Sequence, residues 1–386
     1  GSISINQNNP YTTSANVTLT LAGGDASTQM AFSQDGGTTF TNFEAFASTK
    51  SFTLTGGDGT KEVIVRFKDL AGNINNFSDT ITLDTVVPAG TIKINDDAPY
   101  TTSRDVTLNL TSSDATSGID QMRFSSDGGT NWTAWENYAA TKALNLPAGD
   151  GSKEVWMELK DKAGLISLTL KDAITLDTVV PAGTIKINND ALYTTSRDVT
   201  LNLTATDATS GINRMRFKLG TNGTWTSWEA FASTKALTLP DQDGLQTVFY
   251  EVEDKAGLIS STFSDAITLD RIAPTGSLSL NGGASHTNSP NVTLTLQVDD
   301  ALTLDADIQM AFSQDGGTAF TNFEAFASTK SFTLTGGDGT KEVIVRFKDL
   351  AGLTRDVSDT IILDTNGFSG SISINQNNPY TTSANV

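Results

Sequence analysis

Eight aspartates recur in two fixed contexts along the chain. Asp69, Asp161, Asp254 and Asp349 each open a D-[LK]-A-G turn. Asp84, Asp177, Asp270 and Asp364 each follow a leucine in L-D-T or L-D-R. Carboxylates at regular spacing, with no cysteine anywhere and only one histidine, point to hard oxygen chemistry. Calcium is the cation this set suits, because it takes six to eight oxygens from carboxylates and backbone carbonyls. Both contexts are expected at one pole of each repeat, beside the joint to the next, where a shared ion would stiffen the chain. The alternative is that each aspartate caps a turn by accepting backbone N–H bonds.

Aromatic residues form a second candidate set. Trp132, Trp135, Trp225 and Trp228 align with Phe40, Phe43, Phe320 and Phe323. Exposed indoles can stack on sugar rings, which makes these four a candidate ligand-binding set; packing into the fold is the competing reading. Just before them runs Ser33-x-Asp35-x-Gly37-x-Thr39-Phe40, an S-x-D-x-G-x-T-F pattern read as a hairpin signature and not as catalytic machinery. It returns at Ser125, Asp127 and Gly129 and at Ser313, Asp315 and Gly317. No nucleophile, base and orienting group recur together, and His286 stands alone in a turn-rich stretch. No catalytic residues are expected.

The elements that position these residues come in repeats. G-x-I-x-I-N begins at Gly1, Gly90, Gly183 and Gly370, with the variant GSLSLN at Gly276. Gly370 to Val386 repeats Gly1 to Val17, an offset of 369 residues, so the chain reads as a window on a longer tandem array. A period near 90 residues gives each repeat enough chain for its own core. The expected modules are 1–87, 88–180, 181–273 and 274–369, with 370–386 starting a fifth. Those last residues hold only a first strand and the start of a second. They await either more chain or a neighbouring copy.

Within a module, apolar residues alternate with Ser and Thr, as in Val17, Leu19 and Leu21 around Thr18 and Thr20. Alternation with period two marks strands buried on one face. Turn signals such as Asp35-Gly36-Gly37 and Gly57-Asp58-Gly59 separate the runs. About seven short strands per module predict an all-β chain of tandem immunoglobulin-like β-sandwiches arranged as a rod. The joints are short, and Pro88, Pro181 and Pro274 stiffen three of them. The fourth, LDTNGFSG, lacks proline and is expected to bend more.

The formal net charge of −19 argues against nucleic acid, whose recognition needs clustered Lys and Arg. No stretch is long and apolar enough to span a membrane.

The phrase ITLDTVVPAGTIKIN, the turn from Asp69 to Asn73, and SGIDQMRFSSDGGTNWTAWENY resemble bacterial immunoglobulin-like repeats of giant cell-surface and secreted proteins, including adhesins. The resemblance implies calcium at the joints, held by the aspartates named above. Two features depart from it: Leu165, Leu258 and Leu353 replace Asn73, and Arg271 follows Asp270. The expected role is a structural segment of an extracellular surface protein, a semi-rigid stalk or fibre for adhesion or coating. Its partners are the neighbouring modules, with other copies of itself or a surface glycan as further candidates. A self-associating filament or surface layer, and a set of glycan- or receptor-binding modules, are the alternatives.

Overall fold

A computed structural model describes residues 1–385. The first repeat contains eight strands: β1 (Ser2–Ile5), β2 (Tyr11–Thr12), β3 (Asn16–Ala22), β4 (Gln29–Ser33), β5 (Glu44–Ala45), β6 (Thr49–Thr53), β7 (Gly59–Lys68) and β8 (Ile74–Leu83). They form two sheets, one in the order β1-β3-β6 and one in the order β2-β8-β7-β4-β5. The same three-plus-five arrangement recurs three more times along the chain. This is a tandem array of immunoglobulin-like sandwiches.

The alternation decides which face is buried. In β3, Val17, Leu19 and Leu21 are buried while Thr18 and Thr20 are exposed. They meet Val63, Val65 and Phe67 of β7 across the sandwich in one apolar cluster. Each repeat has its own such cluster, and these cores dominate stability because burial removes apolar surface from water.

The stretch from Phe40 to Phe46 supplies only the two-residue β5. Asp35 closes the turn that precedes it. Its carboxylate accepts from Ser33 Oγ and Thr39 N, which fixes residues 33–39 as a closed turn instead of an extended run. Gly37, at φ 84, occupies a backbone conformation that a side chain would strain.

A polar latch joins the two sheets. Asp79 on β8 accepts the Ile5 amide at 2.7 Å. Asp172, Asp265 and Asp359 do the same for Ile94, Ile187 and Leu280.

The chain divides into two compact bodies, Gly1–Ala182 with Thr206–Asn213 and Glu253–Ser260, and Gly183–Ala205 with Arg214–Val252 and Ser261–Val386. The third repeat's core lies in the second body, while its two loops at 206–213 and 253–260 belong to the first.

The repeated tail behaves differently from its first copy. Ser371–Ile374 is exposed and forms no strand, whereas Ser2–Ile5 pairs with Leu19–Ala22. The following turn is the same in both. Asn6, Gln7 and Asn8 have positive φ, and so do Asn375, Gln376 and Asn377.

Candidate metal centre

Among the described residues, three groups of three aspartates gather: Asp84, Asp114 and Asp161; Asp177, Asp207 and Asp254; Asp270, Asp300 and Asp349. Within each group one carboxylate oxygen per residue lies within 4.8 Å of the others. Each group lies wholly inside one of the two compact bodies.

Three elements build the first group. Asp84 follows the end of β8, anchored by its own N–H to the Thr12 carbonyl at 2.9 Å. Asp161 ends the strand Gly151–Asp161 of the second repeat. Asp114 follows the strand Asp105–Ser113 and organises the loop after it. One of its oxygens accepts from the amides of Thr116, Ser117 and Gly118. The Ser117 amide also reaches Asp84 at 3.1 Å, so a residue of the second repeat contacts the exit aspartate of the first.

The expected pairing within a module is corrected by this geometry. β7 and β8 form an antiparallel hairpin, with Lys68 opposite Ile74 at one end and Gly59 opposite Leu83 at the other. Asp69 sits at the first end and Asp84 at the second, a strand length of roughly 33 Å apart at about 3.3 Å per residue. The exit aspartate instead meets the turn aspartate of the following repeat.

Six of the eight expected ligands therefore lie in clusters: Asp84 with Asp161, Asp177 with Asp254, and Asp270 with Asp349. Asp69 and Asp364 lie outside them. Asp69 is exposed and accepts both the backbone and the side-chain N–H of Asn73. Those bonds hold its carboxyl below the usual range, with the side-chain amide contributing most. Asp364 is exposed and accepts from Asn366.

Asp114, Asp207 and Asp300 were missed in the sequence. The available signal was D-A-x-[ST], which recurs at these positions and at Asp25.

The clusters are short of donors. Asp161 is 1 % exposed, and its Oδ2 has no hydrogen-bond partner. The same holds for Oδ2 of Asp254, Asp270 and Asp349. Burial pushes the Asp161 carboxyl up, and the nearby Asp84 and Asp114 charges push the same way against a bond from the Leu165 amide. Asp254 is raised by burial and by Asp177 and Asp207, again against a backbone bond. Burial also raises Asp270 and Asp349.

A buried carboxylate oxygen without a donor is costly, and a second and third carboxylate beside it add to the cost. A cation removes all of these costs together. The donors are all oxygen, which suits a hard ion and not a thiolate- or imidazole-seeking one. Oxygens around a calcium ion at about 2.4 Å can be at most about 4.8 Å apart, a bound that each of the three groups meets.

Both departures noted in the sequence have structural explanations. Leu165, Leu258 and Leu353 lack the amide with which Asn73 satisfies Asp69, and this leaves the matching oxygen free. Arg271 does not occupy the third cluster. Its guanidinium binds Asp241 and Asp243, each at 2.6 Å.

The four tryptophans are half-buried and bracket arginines. The Arg123 guanidinium lies 4.8 Å from the Trp132 ring and 4.6 Å from the Trp135 ring. Arg216 lies 4.8 Å from Trp225 and 4.4 Å from Trp228. Glu158 and Glu251 pair with these arginines in turn. Each indole thus meets a cation with its ring, an arrangement that serves packing. His286 is exposed and bonded to Ser285.

No family model matches the chain, and no curated protein matches it. Several solved structures are similar to it. A tetra-tandem repeat from the extending region of a large adhesion protein is 18% identical, with a TM-score of 0.36, covering 95% of this chain and 99% of that one. The fibronectin(III)-like modules of Clostridium thermocellum CbhA are 14% identical, with a TM-score of 0.31, covering 47% of this chain and 94% of that one. The chicken CNTN1 FN1–FN3 domains are 12% identical, with a TM-score of 0.29, covering 69% of this chain and 98% of that one. Among the described residues, no helix is long and apolar enough to cross a membrane.

Proposed function

We propose that this chain is a stalk segment of an adhesin-like extracellular surface protein, and that divalent calcium at its joints limits their bending. One observation carries the reading. At three successive joints, the exit aspartate of one repeat meets two aspartates of the next, and buried oxygens there lack donors. An ion held this way ties one module to its neighbour. The modules are those at 1–87, 88–180, 181–273 and 274–369, with a fifth beginning at 370. Calcium sites of extracellular modules work at about 10⁻⁴–10⁻³ M, a range matched to calcium outside cells.

The residues divide the work. The buried Asp161, Asp254 and Asp349 supply oxygens from the second module of each joint, and Asp84, Asp177 and Asp270 supply them from the first. Asp114, Asp207 and Asp300 shape the loops that close the site. The stiffened chain sets a distance between a cell and what it meets; the repeats add length, not chemistry.

Two measurements test this. Calorimetric titration of the chain with calcium is expected to show three bound ions. Small-angle scattering is expected to show an extended particle in calcium that becomes more variable after chelation. Absence of binding, or identical scattering in both conditions, overturns the proposal.

A further inference from the structure

The three acidic joints are built from matching residues, but they do not match in their hydrogen bonds. At the first joint, Asp84 Oδ2 accepts the Ser117 amide at 3.1 Å. At the second, Asp177 Oδ2 accepts the Ser210 amide at 3.1 Å. These bonds run from the exit aspartate of one repeat to a loop of the next. At the third joint the corresponding oxygen, Asp270 Oδ2, has no partner. Asp349 Oδ2 has none either, so this joint holds two donor-free buried oxygens where each of the others holds one.

The cause is local. The first two loops read D-A-T-S-G, and Gly118 and Gly211 both sit at φ 77. That conformation curls the loop so that Gly118 and Gly211 also donate to Asp114 and Asp207. The fourth repeat reads D-A-L-T-L. Leu304 stands where the glycine was and takes φ −66, leading into the short turn Asp305–Asp307. A β-carbon opposes the left-handed conformation. The loop therefore leaves on another path, and the Thr303 amide serves Asp300 alone. Arg271 does not compensate. Both of its carboxylate partners, Asp241 and Asp243, precede it in the third repeat, so the clamp does not cross the joint.

We propose that the third joint is the ion-controlled hinge of this chain: the cation alone closes it, while the first and second joints carry a protein–protein brace that keeps them closed without the ion. The inference rests on the calcium reading above and adds an order to it. A fall in calcium releases one joint out of three, so the segment bends at a defined place instead of softening along its length.

The chain contains no cysteine, so pairs can be introduced for spin labelling without background. Ser51→Cys with Ala143→Cys spans the first joint, and Ala236→Cys with Ser331→Cys spans the third; all four positions are exposed. Pulsed electron resonance distances are then measured in calcium and in chelator, with calorimetric titration of each labelled chain alongside. The expected result is a single narrow distance for both pairs in calcium, lost on chelation only across the third joint. The variant Gly118→Leu copies the fourth repeat's residue into the first joint and is expected to make that joint lose its narrow distance on chelation too. Three bound ions with equal broadening at both joints overturn the hinge and leave the calcium reading standing. So does a Gly118→Leu chain whose first joint stays narrow. No bound ion in any chain overturns both.

Discussion

The side-chain amide of Asn73 donates to Asp69 at 2.8 Å, and it is the matching residue, Leu165, that leaves Asp161 Oδ2 without a partner. Two turns share one backbone design, with an amide four residues on bonding the carboxylate in each. One side chain decides whether the turn is finished or open. Leu165→Asn should therefore close the first site from within. In chelator the variant is expected to gain about 1 kcal/mol from the new hydrogen bond. In calcium it should lose one of three binding events by calorimetry. Unchanged ion stoichiometry would show that Asp161 is not a ligand.

Removing a charge should change sign with the ion. Asp161→Asn relieves repulsion from Asp84 and Asp114 when no cation is present, so its melting temperature in chelator is expected to rise. In calcium the same variant should melt below the parent chain. A ligand that binds only the folded state adds about 2.7 kcal/mol at a hundredfold excess over its dissociation constant. A variant that melts lower in both conditions would contradict the account.

Acid should act on the hairpins in the opposite sense from the joints. Asp127 accepts the backbone and side-chain N–H of Asn131 and the Ser125 hydroxyl, and its pKa falls from 3.8 to about 2. A depressed carboxyl pKa contributes stability above its unfolded value, and that stability is lost as pH falls through the folded one. The second repeat's hairpin should hold down to about pH 4 and loosen between about pH 4 and about pH 2. Asp127→Asn should flatten the acid limb of the melting curve in that window. Melting by circular dichroism at stepped pH checks this, and an unaltered limb counts against the assignment.

The sheet latch should be worth more than an ordinary surface contact. Asp172 accepts the Ile94 amide at 2.6 Å, linking the two sheets of the second repeat. Hydrogen bonds to charged groups contribute about 1.5–3 kcal/mol, so Asp172→Ala should lower stability by roughly that amount. Urea unfolding with unchanged slope would locate the loss in the folded state.

The tryptophans should matter for stability more than for sugar. Trp135→Ala opens one side of the Arg123 bracket, and cation–π contacts contribute about 0.5–2 kcal/mol in addition to the buried ring. The variant should melt lower while retention on immobilised polysaccharide stays as in the parent chain. Loss of retention without loss of stability would restore the ring as a ligand contact.

Much of the fold was legible because its signal is local. Val17, Leu19 and Leu21 alternate with threonines, and one face of β3 could only be a core. The two aspartate contexts were equally plain. Their pairing was misjudged, although hairpin geometry bears on it directly: consecutive antiparallel strands send the turn after β7 and the exit of β8 to opposite ends. Asp114, Asp207 and Asp300 were harder. They stand in loops where aspartate ordinarily caps turns, which they also do here, and only the meeting of two repeats brings two further carboxylates beside each.

The left-handed turn at Asn6–Asn8, kept at Asn375–Asn377 without any strand around it, bears on how such a chain reaches its native state. Gln29–Gly72 and Gln309–Gly352 differ only at Thr39 and Ala319, so strands of one repeat would be accepted by another. A turn that forms from its own residues brings β1 and β3 of one repeat together before distant copies can compete, because short loops close fastest. Local pairing of this kind favours contacts within a repeat over contacts with another copy.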